Sequence, residues 1–300
     1  MKLKLFKANR TAYCTCPPKY SLNTYLGRCQ HECIYCYQVK FPSFTGEPRP
    51  RLKLLEKIDE MAKNTKLKLP VMISDCTDPY QPMEREYKIT RKCLEVLVKY
   101  GFPILIATKS DLVLRDVDIL KKANCVASIT VTTLNTEYAS VLEPGAPNPW
   151  LRINALKKIS KLGIPTIARI DPVIPYLTDK REELEYLISV LAEAGVKQIT
   201  TSTLKPVNGF FAKVKEKSPE LYHKLRNLYN NGEKISGYKY LPKEARMRII
   251  LMVRDIALKY GLEFASCREG LPEYNTVICD GTTYCTKTLK LTKYMELNKL

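Results

Sequence analysis

Four times along this 300-residue chain, an amphipathic helical stretch runs into a glycine and then into a short apolar stretch. CLEVLVKYGFPILIATKS carries Gly101, ALKKISKLGIPTIARIDP carries Gly163, LISVLAEAGVKQITTST carries Gly195 and DIALKYGLEFASC carries Gly261. A glycine at that place ends the helix in a left-handed turn. The apolar run after it, bounded by polar residues, reads as a strand buried on both faces. LPVMISDC (69–76) and NCVASITVTT (124–133) bring the count to at least five consecutive strands, with a sixth near 262–266. Alternating helices and strands imply parallel pairing through right-handed crossovers. The expected fold is therefore α/β, a complete or partial α/β barrel. A doubly wound open sheet is the alternative, although the chain has no glycine-rich dinucleotide fingerprint. Barrels of this kind carry their chemistry at the C-terminal ends of the strands. Those ends here read SDCTDP, TKS, TVTTLN, ARIDP and TTST, polar where the strand interiors are apolar. The expected organisation is an N-terminal extension over 1–20, a core barrel over 21–204, a basic helical insert over 205–248, and a last helix, strand and cysteine-containing region over 249–300.

The segment RCQHECIYCYQ places Cys29, Cys33 and Cys36 in a C-x3-C-x2-C spacing. Three thiolates so close together can hold three irons of a cubane iron–sulfur cluster and leave the fourth iron open to an exchangeable ligand. Structural zinc asks for four protein ligands, which Cys14, Cys16 or His31 could complete. A disulfide framework is not expected, because 300 residues can build a large core without staples. No N-terminal apolar run resembles a signal peptide or a membrane span, so a cytoplasmic location without membrane association, with reduced thiols, is expected.

The formal charge of +18 is unevenly spread. Residues 1–70 hold 14 Lys and Arg against 5 Asp and Glu, and residues 201–300 hold 18 against 10. The 130 residues between them are nearly neutral, with 17 against 16. Such a distribution suits a polyanion laid across both terminal regions, and nucleic acid is the expected substrate or partner. Solubility or growth at high temperature would also favour many lysines.

The cysteine motif, with an aromatic before its last cysteine, resembles that of the radical S-adenosylmethionine superfamily. NTYLGRCQHECIYCY, ISDCTDPYQPMEREYKITRKCLEVL, ILIATKSDLVLRDVDIL, SITVTTLNTEYASVLEPGAPNP and GIPTIARIDPVIPYLTD follow in order across about residues 20–200. Together they resemble the spore photoproduct lyase-like branch, often labelled DNA repair photolyase. The resemblance implies a partial (β/α)6 TIM-like barrel and a lyase-like radical enzyme with a [4Fe-4S] cluster and S-adenosyl-L-methionine (SAM) bound at the open iron. It also implies a one-electron reductant such as ferredoxin or flavodoxin. Cys29, Cys33 and Cys36 become the cluster ligands, with Tyr35 and Tyr37 packing against cluster and adenine. Lys109 resembles a lysine that meets the methionyl carboxylate. Ser74, Asp75 and Thr77 follow the strand where the family binds the amino group, and Ser128, Thr130 and Arg169 are further cofactor or substrate candidates. Cys76 resembles a cysteine that returns hydrogen to the product radical; a buried small hydrophobe would look the same.

Cys267, Cys279 and Cys285 in ASCREGLPEYNTVICDGTTYC suggest a second metal site, zinc or an auxiliary iron–sulfur cluster, with Cys14 or Cys16 as a fourth thiolate. Cys93 and Cys125 read as core residues. In the insert, His223 reads as a surface residue, and Phe210 and Phe211 either pack the insert onto the barrel or contact a base. Two competing functions remain: radical chemistry on a peptide, cofactor or small molecule, and a nonenzymatic iron–sulfur protein that binds nucleic acid or senses redox state.

Overall fold

The computed structural model describes residues 1–6 and 13–285, so residues 286–300 of the C-terminal region lie outside the described residues. Eight strands form one sheet in the order β1 (Lys4–Leu5), β2 (Tyr20–Leu22), β3 (Val71–Ile73), β4 (Ile104–Thr108), β5 (Cys125–Thr130), β6 (Thr166–Val173), β7 (Gln198–Thr203) and β8 (Glu263–Ser266). From β2 to β8 every pairing is parallel; β1 pairs antiparallel with β2. The chain belongs to the mixed α/β class, with a partial parallel barrel flanked by helices.

Each of the four glycines ends a helix as the sequence predicts. Gly101, Gly163, Gly195 and Gly261 follow α2 (Ile89–Lys99), α4 (Pro149–Lys161, itself preceded by α3, Thr136–Leu142), α5 (Arg181–Glu193) and α8 (Lys243–Lys259), with φ between 70° and 81°. In that left-handed region a Cβ would be strained. The helices pack on the outer face of the sheet. There Ile104 and Ile106 of β4, Ala127 and Ile129 of β5, and Ala168 and Ile170 of β6 join one continuous core.

The other face is filled in a way that periodicity does not foretell. Leu105, Val126 and Ile167 alternate onto the inner face, where they meet Cys285 of α9 (Thr282–Cys285), with Met72 and Tyr284 against them. The segment leading into α9 crosses this face under hydrogen bonds from inward-facing strand residues. Gln198 donates to the Ile278 carbonyl at 3.1 Å and Thr200 Oγ1 to the Cys279 carbonyl at 3.0 Å. Lys19, two per cent exposed at its side chain, pairs with Asp280 at 2.5 Å, so that neither buried charge lacks a partner. The C-terminal segment thus fills space that side-chain layers occupy in a closed barrel.

Within 205–248, α6 (Phe210–Lys217) and α7 (Pro219–Asn230) are followed by a two-residue strand pair joined at Ser236 and Gly237. Phe210 is buried and meets Phe211 edge to face at 5.6 Å, so the aromatic pair packs the insert; His223 is exposed. Before α1 (Ile58–Asn64), Tyr25–Leu26 pairs with Arg49–Pro50, and the cysteine loop lies between these two strands in the sequence.

Candidate active site

The C-x3-C-x2-C loop leaves the strand pair through Gly27, whose φ of 72° and contact with the Glu47 carbonyl leave no room for a Cβ. Gln38 then closes the loop on itself. Its Oε1 accepts from the Cys29 amide at 3.0 Å while its Nε2 donates to the Gly27 carbonyl at 2.7 Å. Outside contacts complete the clamp. The Gln30 amide donates to Gln81 Oε1, the Gly145 amide to the His31 carbonyl, and the Ile34 amide to the Leu142 carbonyl. All three thiols face a cavity of about 1650 Å³ at the C-terminal ends of the strands. Burial raises all three: Cys29 to about 12, with Asp78 adding to the shift, Cys33 well above the ordinary thiol range, and Cys36 more modestly. Metal binding here must therefore displace protons.

The expected site residues gather around this cavity. Tyr35, Tyr37, Ser74, Asp75, Cys76, Thr77, Lys109, Thr130 and Arg169 all line it, as do Cys267 and Cys279. Ser128, on the same face of β5, is buried beneath the lining with no hydrogen-bond partner for its hydroxyl. Tyr35 donates its hydroxyl to the buried Glu143, which Arg152 pairs at 2.5 Å, and Tyr37 donates to the Asp75 carbonyl. Ser74 adopts φ 57° and its hydroxyl lies 3.2 Å from that of Thr24; Thr77 donates to the Tyr25 carbonyl. Asn23 bridges this turn, donating to Asp75 and accepting from the Cys76 amide at 3.1 Å. Burial also raises the Cys76 thiol, with Asp75 and Cys36 adding to the effect. Arg169 pairs with Asp171 at 2.6 Å, and Ser202 donates to the same carboxylate.

Lys109 is the informative cation. Its Nζ lies 5.5 Å from the centre of the Tyr35 ring and has neither a hydrogen bond nor an ion pair among the described residues. Burial alone would lower its pKa, but the Cys33 sulfur and the Glu143 carboxylate outweigh that and hold it raised. A half-buried ammonium without a bonded partner asks for an anionic ligand.

Motif reading passes over the residue that aligns this cation with the cysteine loop. Asp78 Oδ2 accepts from the Lys109 amide at 2.7 Å and stands 3.3 Å from His31 Nδ1, while Oδ1 accepts from Thr108 Oγ1 at 2.7 Å. Burial would raise its carboxyl, but His31 and these hydrogen bonds hold it down at about 2. Its place in SDCTDP is the one signal the sequence offers, and nothing in the spacing says that it reaches two loops at once.

The C-terminal cysteines do not stay together. Cys285 packs among Leu105, Val126 and Ile167, its nearest polar atoms being carbonyls of its own turn, so the expectation that it joins a metal set is corrected. Its helix points it into the apolar inner face. Cys279 Sγ instead stands 3.9 Å from Cys16 Sγ, and Cys14 and Cys267 line the same cavity. Cys93 and Cys125 are buried in the core. Among the described residues, no three His, Cys, Asp or Glu side chains are already arranged as a metal shell. The three-cysteine loop nonetheless suits an iron–sulfur cluster on donor chemistry: three free thiols on one clamped loop, open to a cavity, with an unbonded cation beside them.

A partial α/β barrel with a three-thiol loop at the strand C-termini defines a class of cofactor-dependent enzymes. Residues 24–202 match the radical SAM superfamily, and the chain belongs to it. With that membership comes the use of SAM together with an iron–sulfur centre. An uncharacterized protein of Methanocaldococcus jannaschii is 35% identical over 174 residues, 57% of this chain and 64% of its own length. The chain thus matches just under two thirds of that relative. A mutant spore photoproduct lyase solved with a dinucleoside spore photoproduct superposes with a TM-score of 0.66 at 15% identity, over 88% of this chain and 78% of that one. Streptococcus suis SuiB bound to S-adenosylmethionine gives 0.55 at 17% identity, over 84% and 52%. At these identities the two structures share the fold. No helix among the described residues is long and apolar enough to cross a membrane.

Proposed function

We propose that the protein is a radical SAM enzyme acting on nucleic acid, as in lesion repair or base modification. Bound together, a [4Fe-4S] cluster and SAM supply one-electron cleavage of the sulfonium to a 5'-deoxyadenosyl radical, which takes hydrogen from the substrate. The chain's own groups do the rest. Cys29, Cys33 and Cys36 are the cluster ligands, and Lys109 pairs with the methionyl carboxylate. Ser74, Asp75 and Thr77 form the turn for the amino group, and Asp78 positions Lys109 against the loop. The flanking tyrosines and the walls keep water from the reacting centre. Cys76, on the cavity wall with Cys36, would give its S–H hydrogen atom to the product radical; burial keeps it in the thiol form this needs. The thiyl radical left behind would return to the thiol with one electron from the reductant and a proton.

The observation that carries the substrate class is the charge of the cavity wall. Eleven Lys and Arg line it against four Asp and no Glu. Three of those cations are held in ion pairs, Lys19 to Asp280, Arg169 to Asp171 and Lys205 to Glu269; the others carry none among the described residues. A peptide of ordinary composition gains little from such a wall, whereas successive phosphates gain at every step. The structural likeness to a lyase holding a dinucleoside agrees with this reading.

Anaerobically reconstituted protein with dithionite should form 5'-deoxyadenosine faster when DNA or RNA oligonucleotides are added, and a Cys29→Ala/Cys33→Ala/Cys36→Ala variant should form none. Stimulation by peptide pools but not by oligonucleotides would transfer the reading to peptide modification. A loaded cluster that never cleaves SAM would leave a binding or sensing protein.

A further inference from the structure

Four free thiols from three separated parts of the chain meet at the seam of the open sheet. Cys14 and Cys16 lie in the loop between β1 and β2, Cys267 directly follows β8, and Cys279 lies on the segment that crosses the inner face. Cys16 Sγ stands 3.9 Å from Cys279 Sγ, with Cys14 two residues along the chain from the first and Cys267 on the same cavity wall as the second. The backbone at each contributor from the C-terminal half is fixed. The Cys267 amide donates to the Thr201 carbonyl at 2.8 Å, and the Cys279 carbonyl accepts from Thr200.

We infer that Cys14, Cys16, Cys267 and Cys279 form a tetrathiolate site for one zinc ion, separate from the Cys29–Cys33–Cys36 loop. With Zn–S bonds of about 2.3 Å, a tetrahedral shell sets its sulfurs roughly 3.8 Å apart, which is the separation of Cys16 and Cys279. A disulfide needs about 2.0 Å, and a cubane cluster spreads its cysteine sulfurs over the outer corners of a larger body. Cys14 and Cys267, on the same cavity wall, would close the shell by turning toward the shared point. Zinc with four thiolates carries two net negative charges, and cations surround this site. Lys19 and Arg169 line the same cavity wall as the four thiols. Arg268, next to Cys267 in sequence, has buried Nε and Nη2 atoms without hydrogen-bond partners. No strand pairing joins β8 to β1 or β2. The ion would link the two open edges, and all four cysteines line the cavity that the three-cysteine loop faces. The inference stands whether or not the radical reading does.

Metal analysis of the Cys29→Ala/Cys33→Ala/Cys36→Ala variant isolates this site. About one zinc per chain should remain after gel filtration and be lost on adding Cys16→Ser or Cys279→Ser. If those additions fail to fold, cobalt exchange into the triple variant provides a second test. It should give the intense thiolate-to-metal charge transfer of a tetrahedral all-sulfur site. Zinc below about 0.2 per chain with no cobalt signal would overturn the inference. Iron and sulfide in its place, or a Cys16–Cys279 disulfide in peptide mapping, would also overturn it.

Discussion

Lys109 and Asp78 show how single residues set this site. Lys109 is half-buried, raised in pKa and unbonded, so its charge is kept for a ligand. Lys109→Met should weaken SAM binding roughly 10- to 100-fold, the worth of one charge-assisted hydrogen bond. Equilibrium dialysis of reconstituted protein measures this, and unchanged binding would remove Lys109 from the cofactor site. Asp78 is the positioning residue. Its carboxyl is held near 2 against an ordinary 3.8, so folding favours its ionised form. The resulting stabilisation, about 2 kcal/mol, is fully present above pH 4 to 5 and is lost as pH falls toward 2. Asp78→Asn abolishes this dependence. The stability gap between wild type and variant, from urea unfolding of metal-free protein, should shrink by that amount across the same window. The cysteine spacing and the TKS motif were legible in the sequence. The Asp78 contacts were not, because His31 and Lys109 lie 47 and 31 residues away from it along the chain.

Among the elements, the helix–glycine–strand unit recurs where its local chemistry is complete. Helix periodicity, a left-handed glycine and a doubly buried strand each leave a mark on the sequence. β2 (YSL) leaves a weaker one, because no amphipathic helix and glycine precede it and a serine interrupts its apolar run. The C-terminal crossing segment leaves least, since its role depends on which face of the sheet is vacant. Gly281 is where that segment is tightest. Its φ is 85°, and a Cβ would meet Ile167 Cδ1 at 2.5 Å and Val126 behind it. Gly281→Ala should therefore cost about 2 kcal/mol or more, from backbone strain and overpacking together. Thermal unfolding should show a fall of several degrees in Tm, whereas Gly46→Ala, with open space around it, should show only the smaller cost of its positive φ. Equal losses in both variants would mean that the inner face is less tightly filled than these contacts imply. The same dependence on position separates Cys285 from Cys279: six residues apart, one faces an apolar layer and the other a group of thiols.

For the molecule as a whole, the basic terminal regions converge on the cavity mouth. Lys2, Lys4, Lys53 and Lys57 from the N-terminal quarter share its wall with Lys205 and Arg268. If six or so phosphates are neutralised there, oligonucleotide affinity should fall by about 10³-fold or more between 50 and 200 mM salt. Lys53→Glu/Lys57→Glu, both exposed, should weaken binding evenly across sequences and flatten the log–log salt slope by about 2. Fluorescence anisotropy against salt measures both, and an unchanged slope would place the phosphates elsewhere. The sequence alone determined the α/β class, the four helix-ending glycines, the three-cysteine loop and the excess of positive charge. Each of these is written in neighbouring residues or in composition. Only the tertiary structure decided which thiols meet across the seam, what fills the inner face, and which carboxylate joins Lys109 to the cysteine loop. Those are contacts between segments distant along the chain. Sheet order and side-chain facing select them, and no local spacing encodes either.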